Sequence, residues 1–306
     1  MQIRLVLLLG GLCLANLAGA VENCASLEQA FHQAMNGGRL DGAEAQLKNI
    51  QRVCPLSSLR DDESFFTDSL ATLANDLAEK KQCAQAENLL KKARLDAWTV
   101  SSVRGYIASQ CPGKDGKIDW QEVSSHYGHA LELLTDPNNP KLKDIPDLKQ
   151  HQTRILALAT DAQLLYGKAD ATIQRDGSPR GVLLAAVRGI KVGAVPYPVH
   201  FDTDKASLTA DGKHSADVLA QFILGQPQFQ AVTLTGHADP RGSVEHNQQL
   251  SEDRAKTVAD YLVRKGVNVT IKPCGKGESQ PPDTAFDHLS EQEEFSRWRR
   301  VELDFQ

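Results

Sequence analysis

Asp239 and Arg254 are the two side chains whose types and spacing best support a chemistry. Asp239 stands in a glycine-bounded turn, Gly236-His237-Ala238-Asp239-Pro240-Arg241-Gly242, that follows an alternating strand pattern. Arg254 stands inside the helical pattern that comes next. A carboxylate and a guanidinium held a fixed distance apart on two rigid elements grip a small zwitterion, the carboxylate taking its ammonium and the guanidinium its carboxylate. Asn247, seven residues before Arg254, projects almost in line with it. Both lie at the edge of the apolar face formed by Leu250, Ala255, Val258, Ala259 and Leu262. From spacing alone, Asp239 and Arg254 fit equally well an internal salt bridge that orders the turn and a two-pronged ligand clasp.

Other constellations carry less. Asp115-Gly-Lys-Ile-Asp-Trp-Gln-Glu122 has the spacing of the second half of an EF-hand loop, but the first and third ligand positions fall on Cys111 and Gly113, which supply no carboxylate. A turn followed by a helix N-terminus is the expected structure there. The nine histidines include no HExxH or comparable spacing, and the chain has no G-x-S-x-G, P-loop or dinucleotide fingerprint. His200, Asp202 and Asp204 imitate a metal cluster on a strand-to-turn segment, and His237 reads as a structural hydrogen-bonding residue. No metal, cofactor or catalytic residue is expected. The formal net charge of −5 gives no reason to expect nucleic acid or an anionic membrane surface as a partner.

The elements that must position Asp239 and Arg254 alternate in type. Val199 and Phe201, Val232 and Leu234, Val269 and Ile271, and Val301, Leu303 and Phe305 alternate with polar neighbours, as strands do. Between them, Val218, Leu219, Phe222 and Ile223, and then Leu250, Val258 and Leu262, recur at helical spacing. The pattern predicts a βαβαβ unit with a final strand, its helices packed on one mixed sheet with some parallel pairing. The fold class is α+β, an N-terminal all-α, repeat-like region preceding this unit.

Arg4, a leucine-rich run and Ala18-Gly19-Ala20 read as a secretory signal peptide over 1–20, cut after Ala20. A lipid anchor is not expected, because Cys13 lies inside the run after Leu12 and Cys24 follows Asn23. No other apolar run approaches this length, so the mature chain is expected to be soluble. Residues 21–135 read as amphipathic helical hairpins, with Leu27, Ala30, Phe31 and Ala34, then Ala43, Leu47 and Ile50, then Ala86, Leu89, Leu90 and Ala93 at helical spacing. The stretch from Leu77 to Ala93 loosely resembles one helix pair of a tetratricopeptide-type repeat. Cys24-Ala-x-x-Glu28 opens a segment ending Cys54-Pro55, and Cys83-Ala-x-x-Glu87 opens one ending Cys111-Pro112. In an antiparallel hairpin the first and last residues are neighbours, so the expected disulfides of this exported chain are Cys24–Cys54 and Cys83–Cys111. Cys274 is left over, a buried small hydrophobe or a reactive thiol. Residues 136–190 read as a helical connector, broken at Asp136-Pro-Asn-Asn-Pro140 and again at Asp176-Gly-Ser-Pro-Arg180. The last domain is expected over 191–306.

Four motifs taken together carry a family resemblance over 197–305. They are His200-Phe-Asp-Thr-Asp-Lys-Ala-Ser-Leu208, Gly236-His-Ala-Asp239-x-x-Gly242, Asn247-x-x-Leu250-Ser-x-x-Arg254-Ala and Arg299-Arg300-Val301. This segment resembles the OmpA-like peptidoglycan-binding domain family, its Gly-His-Ala-Asp-x-Arg-Gly version being most similar to the peptidoglycan-associated lipoprotein type. The resemblance implies non-covalent binding of the peptidoglycan stem peptide at its diaminopimelate. By position, Asp239 would take the ligand ammonium and Arg254 its carboxylate, with Asn247 and Arg299 assisting and the Asp202-Thr203 turn lining the pocket. Two positions depart from the family pattern: Trp298 replaces an Asn, and Lys276 replaces an aromatic in the Gly-x-Gly turn. The implied protein is periplasmic, associated with the cell wall, and not an enzyme, since no paired carboxylates, metal ligands or nucleophile–base motif are present. Its helical part is expected to meet an unidentified envelope protein, through which it would associate with the outer membrane. The alternative is an envelope scaffold, in a secretion or motor assembly, whose domain no longer binds wall.

Overall fold

The computed structural model describes residues 9–169, 181–188, 190, 194–287 and 289–306. The chain divides into two compact units, residues 1–76 with 84–96, and residues 77–83 with 97–306. The expected leader begins before the described residues, and helix α1 (Leu9–Asn36) runs through the expected cleavage point at Ala20. Among the described residues, no helix is long and apolar enough to cross a membrane.

In the first unit α1 folds back on α2 (Leu40–Val53). Ala43, Leu47 and Ile50 recur on one stripe of α2 and are fully buried, together with Phe31 from α1. Leu59, Phe66 and Leu70 of α3 (Leu56–Glu79) close this small core. The Cys24–Cys54 disulfide joins the two ends of the hairpin, as the hairpin geometry predicts. Helix α4 (Cys83–Leu90) begins at the second disulfide, Cys83–Cys111.

In the second unit α5 (Trp98–Gln110), α6 (Trp120–Thr135) and α7 (Leu148–Tyr166) pack in sequence, α6 between the other two. Asp119 caps α6 by accepting from the amides of Gln121 and Glu122, and a backbone turn from Gly113 to Gly116 precedes it. The half EF-hand pattern is thus a turn and a helix start. A 3₁₀ turn at Pro140–Asp144 follows the break after Thr135, and another at Gly181–Leu183 leads into the short α8 (Leu184–Val187). The break expected at Asp176-Gly-Ser-Pro-Arg180 lies outside the described residues.

The sheet has the order β1-β4-β2-β3, formed by β1 (Val195–Tyr197), β2 (Ala231–Gly236), β3 (Thr270–Gly275) and β4 (Val301–Phe305). β2 and β3 are parallel, while β4 lies antiparallel between β1 and β2, so the sheet is mixed. Thr209 caps α9 (Ala210–Leu224) and Ser243 caps α10 (Val244–Arg264). Ser290 and Glu293 form a reciprocal capping box on α11 (Glu291–Trp298).

One expectation needs correction. The first strand lies at Val195–Tyr197 rather than at Val199 and Phe201; Pro198 has no N–H for the ladder, the amide of Val199 turns back to the Tyr197 carbonyl, and Phe201 keeps only an isolated bridge to Leu208. Leu131, Leu134, Ile155 and Ala159 of α6 and α7 share one core with Val232, Leu234, Val258 and Leu303, so the helices after residue 97 belong with the sheet.

Candidate ligand site

The turn that carries Asp239 is pinned on both sides. After β2 the amide of His237 donates to the Arg300 carbonyl and that of Ala238 to the Gly277 carbonyl. Helix α10 seats closely on the ends of β2 and β3, because a Cβ at Gly236 or Gly275 would overlap Ser251. Ser251 Oγ in turn accepts from the Gly277 amide at 2.9 Å. Gly242, at φ 109°, supplies the left-handed step into the helix. These approaches set Asn247 and Arg254 beside Asp239.

A cavity of about 710 Å³ opens there. Its walls are the loop residues His200, Phe201, Thr203 and Asp204, the turn residues Asp239, Arg241 and Gly242, Asn247, Leu250 and Arg254 of α10, Glu291, Gln292 and Phe295 of α11, and Arg299. Five of the six expected site residues, Asp239, Arg254, Asn247, Arg299 and Thr203, reach this one cavity. Asp202 does not line it; its carboxylate accepts from Ser207 Oγ and shapes the loop from within. Trp298 and Lys276, the departures from the family pattern, are also absent from its walls. His237 is fully buried behind the site, with Nε2 3.5 Å from Glu302.

Asp239 and Arg254 do not pair with each other. Asp239 accepts from Arg241 Nε and Nη2, both at 2.8 Å, from the Arg241 amide at 3.3 Å, and from Arg299 Nη1 at 2.9 Å. Asn247 Nδ2 donates to the Asp239 carbonyl and to Glu278. Burial raises the Asp239 carboxyl, but the hydrogen bonds from Arg241 and Arg299 outweigh it and hold the group down at about 2. Arg254 is 3% exposed, donates Nε to the Lys205 carbonyl at 3.1 Å and lies 5.1 Å from the centre of the Phe201 ring. Its two terminal nitrogens make no hydrogen bond, and it has no ion-pair partner among the described residues. Burial, then the nearby charge of Arg299, bring the guanidinium down to about 10. Burial and Arg299 also lower His200 on the opposite wall.

The cavity therefore offers one free buried cation beside a carboxylate that is fully engaged. His200, Asp202 and Asp204 do not converge. Among the described residues the grouping with metal-ligand spacing is Cys24, Glu28 and Cys54, whose sulfurs are joined to each other.

The sequence assigned no role to Arg241, Phe295 or Glu291. Arg241 was visible two positions after Asp239, but its fork closes on that carboxylate only in this turn conformation. The α11 residues reach the cavity through tertiary docking, which local spacing does not encode.

The OmpA family model matches residues 200–293. The peptidoglycan-associated lipoprotein of Pseudomonas aeruginosa is 36% identical over 105 residues, which are 34% of this chain and 59% of that protein. Outer membrane protein A of Klebsiella pneumoniae is 41% identical over 85 residues, 27% of this chain and 25% of that protein. Among solved structures, the peptidoglycan-associated lipoprotein from Burkholderia pseudomallei is 25% identical, with 45% of this chain and 100% of that one covered at a TM-score of 0.32. The chain spans less than two thirds of the length of these curated relatives. The C-terminal part of the chain, over residues 200–293, is an OmpA family domain.

Proposed function

We propose that this chain is a non-enzymatic, periplasmic protein that binds peptidoglycan non-covalently through the diaminopimelate of the stem peptide. Its helical part then presents a surface to another envelope protein and is anchored to the wall by the C-terminal domain. One observation carries the reading: Arg254 is a buried guanidinium without an anion, and it opens on the cavity that also holds Asp239. An unpaired buried charge is costly, and a ligand carboxylate supplies the missing partner. Asp239 takes the ligand ammonium, Asn247 and Arg299 steady it, Thr203 closes the loop wall, and Asp202 holds that loop in shape. The OmpA family domain and the name of the Pseudomonas relative support the choice of ligand.

Co-sedimentation with purified sacculi tests the proposal. Asp239→Ala and Arg254→Ala should each remove most of the binding, and diaminopimelate-type wall should be preferred to lysine-type wall. Equal binding by wild type and both variants would remove the assignment.

A second reading has a specific observation behind it. Every acceptor position of Asp239 is already filled by Arg241 and Arg299, as in a scaffold whose pocket is closed to guests. Failure of the wild-type chain to sediment with either wall would favour that scaffold.

A further inference from the structure

We infer that Arg241 is a built-in competitor for the ligand's ammonium, a specificity-determining residue that a guest must displace from Asp239. This inference rests on the diaminopimelate reading of the cavity. A carboxylate has about four lone-pair sites. Here Arg241 occupies three of them, through its amide, Nε and Nη2, and Arg299 takes another. An incoming ammonium finds no acceptor on Asp239 until one donor leaves.

Arg241 is the donor able to leave. Its side chain is 60% exposed, against 33% for Arg299, so its head re-enters water readily. Its fork lies 4.5 Å from the centre of the Phe295 ring, a face over which a planar guanidinium slides without losing contact. Glu291, on the same cavity wall, already acts on Arg241 through its charge and offers the displaced guanidinium a second carboxylate. Binding is then an exchange: the ligand ammonium replaces Arg241 at Asp239, Arg241 swings toward Glu291, and the ligand carboxylate meets Arg254. An anion lacking the ammonium would use Arg254 alone and leave Arg241 in place.

A site that is competent only when its internal partner is away binds more weakly by that fraction, so removing a partner seated nine-tenths of the time gains about tenfold. Isothermal titration of the full-length chain with free meso-diaminopimelate and with pimelate, the same diacid without amines, reads this directly. R241Q should bind diaminopimelate about tenfold more tightly than wild type while its affinity for pimelate stays unchanged. E291Q, which removes the second berth, should bind diaminopimelate more weakly than wild type. R241K, a point charge that cannot fork, should fall between wild type and R241Q, and serves if R241Q melts early. Wild-type binding with no gain, or a loss, in R241Q overturns the inference alone, as does an equal gain for pimelate. Absence of diaminopimelate binding in wild type and R241Q alike overturns the reading of the cavity and this inference with it.

Discussion

Arg297 of α11, fully buried, donates Nε to the carboxylate of Asp161 on α7, which is itself almost wholly buried. The other Asp161 oxygen accepts from the Ala285 amide, and Arg297 also reaches the Asp283 carbonyl, Thr284 and Glu294. Trp120 of α6 adds a second tie, its Nε1 donating to Glu293 at 2.7 Å. Helix α11 supplies Glu291, Gln292 and Phe295 to the cavity and leads directly into Arg299. One wall of the cavity is thus held by helices that precede the family-matched segment.

Asp161→Ala should consequently lower both stability and affinity. Removing one member of a buried pair costs about 3–5 kcal/mol, and the half-exposed Glu294 is the one carboxylate left on Arg297 among the described residues. Denaturant unfolding measures that loss. Replacing both residues by Leu should restore much of the stability, since no buried charge remains. Wild-type stability in the single variant would show that Glu294 alone satisfies Arg297.

Arg254→Leu should move stability and binding in opposite directions. The buried guanidinium has no ion-pair partner among the described residues, so a shorter apolar side chain, which needs no anion, should stabilise the fold by about 0.5–2 kcal/mol. The Lys205 carbonyl it releases lies in an exposed loop and finds water. Sacculus binding should fall by about 2–5 kcal/mol. A variant less stable than wild type would mean that Arg254 is a structural residue.

The two disulfides should matter unequally. Cys24–Cys54 and Cys83–Cys111 span 30 and 28 residues, and chain entropy assigns each about 3.5 kcal/mol. The first unit rests on a small core around Phe31, Leu47 and Phe66, whereas the second unit has the larger shared core. Reduction should therefore loosen the first unit while sacculus binding persists. Ellman titration of the denatured, unreduced chain from residue 21 onward should find one thiol, Cys274. Five thiols would eliminate both bridges.

What was legible in the sequence follows from which interactions are local. Helical phase brings Asn247 and Arg254 to one edge of α10, and the glycine-bounded turn delivers Asp239 to the start of that helix, so proximity was readable. Pairing was not. Whether Asp239 bonds Arg254 or Arg241 depends on the dihedrals between Pro240 and Gly242, which residue types only constrain. The first strand lies before Pro198 rather than after it because apolar alternation continues past that residue, where the hydrogen-bond ladder cannot. The α11 wall depends on Asp161 and Arg297, 136 positions apart, and no periodicity reports a contact of that range.

The pH dependence of binding follows from two shifted groups. With Asp239 at about 2 in the folded chain, below its ordinary 3.8, its contribution to stability is complete above about pH 4 and is lost as pH falls through 2. Arg254 is held down at about 10 from 12.5, so it is charged at neutral pH and loses its proton from pH 10 upward. In that alkaline window the unfolded chain retains a proton the folded chain has released, so this group makes the fold more stable as pH rises while the anion site disappears. Co-sedimentation with sacculi should therefore hold level from about pH 4 to about pH 9 and fall on both sides, the alkaline fall occurring without unfolding. A midpoint between pH 5 and pH 7 would contradict this, since neither Asp239 nor Arg254 titrates there.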